Sequence, residues 1–376
     1  MIPFARIVKY GNTVLPPKLS IKQLSCGSTH RALLYSDGEL YTAGNGVNYK
    51  LGTGTTTNYL QAWQHVNSDV DFVASGNNCT LIRKKDGTYW HCGAKEAVYG
   101  VTSNNQIWTD CSVLFSTIQD SIVDISVGNF STIVQTSTGD LYGIGSNNDY
   151  ALGMSGVQTS FVKIAEGVSK WSYTRDACMY IKNGSMYRAG SNSSSKLGVV
   201  SSGIVVPFTE FQNPTGLICV DVCMQSDAIY VLYRDNSNVT HLYNCGNNAG
   251  NLGRGNTSNV TTISEVPNWS GKVVKFYNKL GIGNAIFHYI GTDNIYSAGY
   301  NPSGQVGVGS TGSLITTYTR SIGLPSLSNI QSIQIMGSNN TFAVCDDGVY
   351  WCGAAANANG TVNSTSFAKL PIPIQI

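Results

Sequence analysis

The chain has 376 residues, only 12 % of them Asp, Glu, Lys or Arg, and 23 basic against 21 acidic side chains leave a net charge of +2. Reading nucleic acid needs clustered Lys or Arg, and no basic run is present, so no nucleic-acid partner is expected. No apolar run reaches the ~18 residues of a membrane span, and the segment Met1 to Arg6 lacks the apolar core of a signal peptide, so synthesis in a cytoplasm without membrane insertion is expected.

Taken in chain order, one phrase returns seven times: a turn, an apolar residue, an aromatic and a closing glycine. It opens with Ala32-Leu33-Leu34-Tyr35, turns at Asp37-Gly38, and leaves through Leu40-Tyr41-Thr42-Ala43-Gly44. Asp86-Gly87-Thr88-Tyr89-Trp90-His91-Cys92-Gly93 is the second copy, followed by Leu141-Tyr142-Gly143-Ile144-Gly145 and Met186-Tyr187-Arg188-Ala189-Gly190. Leu242-Tyr243-Asn244-Cys245-Gly246, Ile295-Tyr296-Ser297-Ala298-Gly299 and Val349-Tyr350-Trp351-Cys352-Gly353 complete the series. Asp-Gly or Asn-Gly between two apolar runs is a strong hairpin signal, and no segment carries apolar residues at helical spacing. Successive closing glycines lie 45 to 56 residues apart. Short strands recurring at that period predict an all-β propeller rather than a helical solenoid.

A third element follows each phrase, as in Lys50-Leu51-Gly52-Thr53-Gly54, Asn251-Leu252-Gly253-Arg254-Gly255 and Gly304-Gln305-Val306-Gly307-Val308-Gly309. Together with Cys26-Gly27-Ser28-Thr29-His30-Arg31-Ala32-Leu33, these segments resemble the repeat of the regulator of chromosome condensation family over nearly the whole chain. The resemblance implies four-stranded blades, and with seven copies it implies a seven-bladed propeller with the ring closed near the termini. The expected blades are residues 15–63, 64–112, 113–164, 165–211, 212–266, 267–322 and 323–376, with 1–14 as a terminal extension. The segment Phe367 to Ile374, with Pro371 and Pro373, reads as an outer edge strand, and Val14 to Leu19 resembles it. Family members that exchange nucleotide on a small nuclear GTPase carry a basic tail and a blade insertion. Here only Arg6 and Lys9 precede residue 18, and the intervals leave no room for a long insertion, so exchange activity ranks third among the readings.

Ten cysteines raise the question of disulfides or metal. Cys92, Cys245 and Cys352 stand directly before closing glycines, where other copies have Ala43, Ala189 and Ala298; that exchange marks a small buried residue. The five histidines are scattered singly and no Cys-x-x-Cys pair occurs, so no metal is expected. Gly307-Val308-Gly309-Ser310-Thr311-Gly312 fits a dinucleotide fingerprint formally, but its glycines belong to the repeat and no helix follows. Asp346 and Asp347 sit in a hairpin turn and read as turn chemistry. No nucleophile elbow, phosphate loop or zinc-protease motif is present. The expectation is a non-enzyme with no catalytic residue, cofactor or metal.

What remains is a stiff disc whose loops vary from blade to blade. Tyr49, Lys50, Tyr99, Tyr150 and Lys196 lie in those loops and are the candidate binding surface, because tyrosine among Asn, Ser and Gly offers contact area at low entropic cost. The composition points first to a structural or receptor-binding virion component of a bacteriophage, in a tail, collar or decoration, with virion or host-surface proteins as partners. The alternative is a soluble protein-binding or inhibitor module resembling bacterial propellers of this family. Oligomeric state is left open.

Overall fold

The computed structural model describes residues 20–174, 176–200, 203–276, 286–291, 293–337, 339–358 and 362–373. These form seven four-stranded antiparallel sheets, each with its strands adjacent in chain order. Sheet 1 comprises Ile21–Cys26, His30–Tyr35, Leu40–Gly44 and Tyr59–Asn67. The first strands of the others are Val70–Ser75, Ile122–Val127, Lys170–Tyr173, Ile218–Gln225, Val273–Phe276 and Ile330–Met336. Their fourth strands are Asn104–Asp110, Gln158–Ala165, Ile204–Phe211, Val260–Glu265, Leu314–Arg320 and Ser364–Lys369. Six sheets are described with side chains along all four strands; sheet 6 borders residues outside the described set. This corrects the expected count: six blades are found rather than seven, although sheet 6 also has four strands. Among the described residues helix is confined to single turns such as Glu96–Tyr99 and Ser112–Phe115.

The repeat phrase is the hairpin of the second and third strands. In sheet 1 the Tyr35 amide donates to the Glu39 carbonyl and the Gly38 amide to the Tyr35 carbonyl, a three-residue loop. In sheet 4, Asn183 and Gly184 both take positive φ, 53° and 77°, and close a two-residue turn. The closing glycine has a steric cause. Gly246 sits at φ 120°, and a Cβ there would lie 2.2 Å from the Asp227 carbonyl oxygen. No other residue fits that conformation and that approach together.

The core lies between sheets. Ala32, Leu34 and Leu40 pack on Val70, Val73 and Ile82 of sheet 2, and comparable clusters join sheets 2 with 3, 3 with 4, 4 with 5, 5 with 6 and 6 with 7. Leu24, Cys26, Leu33 and Tyr35 of sheet 1 pack against Phe342, Val344 and Trp351 of sheet 7. Polar stitches link neighbouring first strands. The Gln23 amide nitrogen donates to the Val73 carbonyl at 2.7 Å, and the Ser25 and Ser172 hydroxyls accept from the Ser75 and Met224 amides at 2.8 and 2.9 Å.

Three expected boundaries shift, the 164/165 division by one residue because the strand Gln158–Ala165 runs across it. The strand Tyr59–Asn67 runs across the 63/64 division and ends where Asp69 turns at φ 58°, and the helical turn Ser112–Phe115 spans the 112/113 division. The expected outer strand near the C-terminus is Ser364–Lys369, after which the chain continues to Pro373, whose carbonyl accepts from the Tyr35 hydroxyl. Val14 to Leu19, Ile374 and the extension 1–14 lie outside the described residues.

Candidate protein-binding face

In an antiparallel sheet taken in chain order, the first and third connections leave at one end and the second connection at the other. The third connections, which hold every candidate residue, therefore share an end with loops such as Gly27–Thr29 and Gly76–Asn78. Contacts between neighbours keep like ends together: the Ser28 hydroxyl donates to the Asn77 carbonyl at 2.8 Å, and the Asn77 side chain donates to that of Asn129 at 2.7 Å. The opposite end carries the hairpin turns with Asp37, Asp86, Asp140, Asp235, Asp293, Asp346 and Asp347. The loop end carries Lys50, Lys95, Glu96, Asp149, Asp176, Lys196, Asp227 and Arg254, but among the described residues none of these is exposed.

A recurring asparagine shapes these loops. Asn147, Asn192, Asn248 and Asn301 each accept with their side-chain oxygen from a backbone amide, that of Leu152, Leu197, Leu252 or Val306. Each also donates across the loop, to the carbonyls of Met154, Val199, Asn256 and Ser310. This staple was legible as an Asn two residues beyond four closing glycines, but asparagine is common enough here to hide it.

Tyr49 and Tyr150 are half-buried at corresponding loop positions with φ of 63° and 59°. Ser195, Gly250 and Gly304 hold that position in sheets 4, 5 and 6, also at positive φ. Tyr99 is half-buried too, its ring edge-on to His91 at 5.6 Å. Around them Val47, Val101, Val157, Val200 and Val362 stand 46 to 74 % exposed on five of the seven third connections, and Tyr300, 39 % exposed, ends the third strand of sheet 6.

Lys50 and Lys196 do not belong to the exposed face; this corrects the expectation. The Lys50 amine is buried and donates to the Thr29 hydroxyl at 2.7 Å, and burial pulls its pKa down to about 8. Lys196 is fully buried, donating to Asp176 Oδ1 at 2.6 Å and to the Ser226 carbonyl at 2.7 Å. Both side chains turn inward because the neighbouring first connections offer acceptors there. Their carbonyls also serve the next sheet. Thr80 Oγ1 and Cys92 Sγ donate to Lys50 O, and Cys245 Sγ donates to Lys196 O at 3.3 Å. Cys352 Sγ and Thr341 Oγ1 treat Gln305 O in the same way. The three cysteines are therefore buried, as expected, and add a sulfhydryl bond that alanine cannot make. All ten cysteines are buried and unbridged.

Burial also dominates the titration of the two inner histidines. His30, whose Nε2 lies 2.9 Å from Thr80 Oγ1, and His91 are both pushed down to about 3 by desolvation. Among the described residues no group of three or more His, Cys, Asp or Glu is placed to hold a metal, and no helix is long and apolar enough to cross a membrane. A cavity of about 400 Å³ lies between the first strands, lined by Ser25, Ser75, Asp124, Ser126 and Gln334 among others.

No protein-family model matches the chain. It is 28 % identical over 138 residues to the X-linked retinitis pigmentosa GTPase regulator of Canis lupus familiaris, covering 36 % of this chain and 14 % of that protein. It is 27 % identical over 157 residues to an RCC1 repeat-containing protein of Schizosaccharomyces pombe, covering 38 % and 45 %. The chain spans less than half the length of the curated relatives it matches. Among solved structures it is similar to a complex of Kap60 with yeast RCC1 (Prp20), with a TM-score of 0.71 at 13 % identity over 99 % of this chain and 91 % of that one. Prp20p of Saccharomyces cerevisiae, described with its binding to Gsp1p and histones, gives a TM-score of 0.68 at 15 % identity, over 86 % and 82 %. The molecule is a β-propeller. Its blades are like those built from RCC1 repeats.

Proposed function

We propose that this chain is a non-enzymatic protein-binding module whose contact surface is the loop face, and that its seven sheets close into one ring. The observation that carries the reading is the left-handed backbone of Tyr49 and Tyr150, at the position where sheets 5 and 6 use Gly250 and Gly304. A left-handed L-residue costs about 1–2 kcal/mol. Backbone strain of this kind clusters where a side chain is wanted for what it presents. The exposed valines and the lack of exposed charge among the described residues of this face support the same reading. So do the protein partners of the fold neighbours, Gsp1p and histones in one case and Kap60 in the other. A binding module fits these relatives better than a virion component does.

Closure is supported by the packing of sheet 1 on sheet 7 and by Gly337, where a Cβ would lie 2.6 Å from the Ser28 carbonyl oxygen.

The test is affinity purification with the wild type and the double variant Tyr49→Gly, Tyr150→Gly. Glycine suits the backbone at both places, so the melting temperature should hold while the captured protein is lost. Undiminished capture by the double variant would remove the loop face from the reading. A turnover abolished by one side-chain change would remove the non-enzyme half.

A further inference from the structure

Two buried donors stand without an acceptor between sheets 4 and 5. Arg188, on the third strand of sheet 4 (Ser185–Ser191), is only 5 % exposed, yet its Nε and Nη1 have no hydrogen-bond partner. Tyr233, on the second strand of sheet 5 (Ala228–Arg234), is fully enclosed, and its hydroxyl is likewise unpartnered. Both side chains border one apolar cluster. The Arg188 guanidinium carbon lies 4.6 Å from the Phe211 ring centre, and Nη1 is 3.4 Å from a Cβ built on Gly198. That same Cβ would stand 2.7 Å from Ile263 Cγ1. Phe211 and Ile263 belong with Tyr233, Leu197 and Cys245 to the core that joins the two sheets.

Other guanidinium groups packed inside the molecule find oxygen acceptors on their own sheet. Arg31 donates from Nη2 to the Leu60 carbonyl at 3.1 Å. Arg254 donates to the carbonyls of Ser264 and Glu265 and to Asn244 Oδ1. Arg188 has no such bond. The Phe211 ring attracts its charge but leaves the N–H donors unsatisfied. The titratable groups that act on it, Cys245 and Tyr233, bring no negative charge near neutral pH, because burial raises both, Cys245 to about 12. A buried charge is stable only when it is paired and hydrogen-bonded.

We propose that Arg188 and Tyr233 form a binding site for one chloride ion between sheets 4 and 5. The N–H groups of Nε and Nη1 and the Tyr233 O–H are all donors, and a halide accepts from every one of them while supplying the missing negative charge. The enclosure of Nε and Nη1 favours a monatomic ion. A phosphate or carboxylate would leave further oxygens without partners among Phe211, Ile263 and Leu197. The inference does not depend on the loop-face reading.

Thermal unfolding of the purified full chain in sodium chloride against sodium gluconate, at one ionic strength, tests it. The wild-type melting temperature should rise with the logarithm of chloride concentration, because the ion binds only the folded chain. Tyr233→Phe should raise the chloride concentration needed for the same effect roughly tenfold, the worth of one hydrogen bond to a charge. Arg188→Met should melt alike in both salts, and Lys163→Met on the surface should respond like the wild type. A wild type indifferent to chloride overturns the proposal, and so does a response that survives Arg188→Met. Should that variant fail to fold, wild-type crystals grown in sodium bromide decide. An anomalous peak beside the Arg188 guanidinium supports the site, and its absence there refutes it.

Discussion

Gly253 lies directly beneath the ring of Tyr318 in the next sheet, so closely that a Cβ would stand 2.2 Å from Tyr318 Cε2. Gly52 with Trp108, Gly153 with Phe208, Gly198 with Ile263 and Gly307 with Phe367 repeat the arrangement, at 2.2 to 2.7 Å. The Leu-Gly half of each repeat is thereby explained. The apolar residue fills its own sheet, and the glycine makes room for the outer-strand side chain of the following one.

Gly253→Ala should therefore destabilise by roughly 2–4 kcal/mol, combining a left-handed Cβ with a clash against a buried ring. Gly87→Ala is the control, since Gly87 has φ 87° but nothing within 4 Å of a built Cβ. It should cost only about 1–2 kcal/mol. Urea denaturation compares them, and equal losses would show that the inter-sheet contact carries no weight.

The buried pair Lys196–Asp176 should be costly to break and cheap to remove. Lys196→Met leaves an uncompensated carboxylate and should cost about 3–5 kcal/mol, while Lys196→Met with Asp176→Val should recover most of it. The exposed pair Lys369–Asp347 should leave the unfolding midpoint unchanged when Lys369 becomes Met. A double variant no more stable than Lys196→Met alone would contradict this.

Stability should fall on both sides of neutrality. His30 and His91 titrate near 3 when folded against an ordinary 6.5, so between those values the unfolded chain binds more protons and acid unfolds the protein. At pH 5 each contributes a loss of roughly 2 kcal/mol. Burial lifts Cys26, Cys79, Cys111 and Cys245 to about 12 from an ordinary 9, so above pH 9 the unfolded chain loses protons that the folded one keeps, and stability falls again. Denaturation midpoints from pH 4 to 10 would reveal both limbs. Lys50 softens the alkaline one, because its folded value of about 8 against an ordinary 10.5 makes its contribution rise with pH. His241, which Glu265 and Asp235 raise, adds a small loss above 6.5. His91→Gln should flatten the acid limb alone. Thiol labelling of the native protein should be slow near neutrality and fast in denaturant.

The C-terminal strand should be indispensable. Phe367 is buried beneath Gly307, and Leu370 packs with sheet 1. Phe367→Ala should cost about 3–5 kcal/mol, and removing the last ten residues should lower the melting temperature further. A truncated chain that melts with the wild type would argue that sheets 1 and 7 do not depend on each other.

Much of this architecture is legible along the chain because its causes are local. Turn residues, strand alternation and a closing glycine act within one hairpin, so Asp37-Gly38, Asn183-Gly184 and the interval between Gly44 and Gly93 disclose an all-β repeat without reference to anything distant. Burial of Cys92, Cys245 and Cys352 is legible for a related reason, since exchange with alanine reports a small space. The fate of charged and polar loop residues is another matter. Lys50 and Lys196 look like surface lysines until Thr29, Asp176 and Ser226 are brought to them from 20 to 30 residues away. Tyr49 and Tyr150 share a backbone conformation only once the sheets are in register. Local propensity determines that each sheet forms. Which side chains are enclosed and which are presented depends on the acceptors and apolar surface of the neighbouring sheets, so only the tertiary structure decides it.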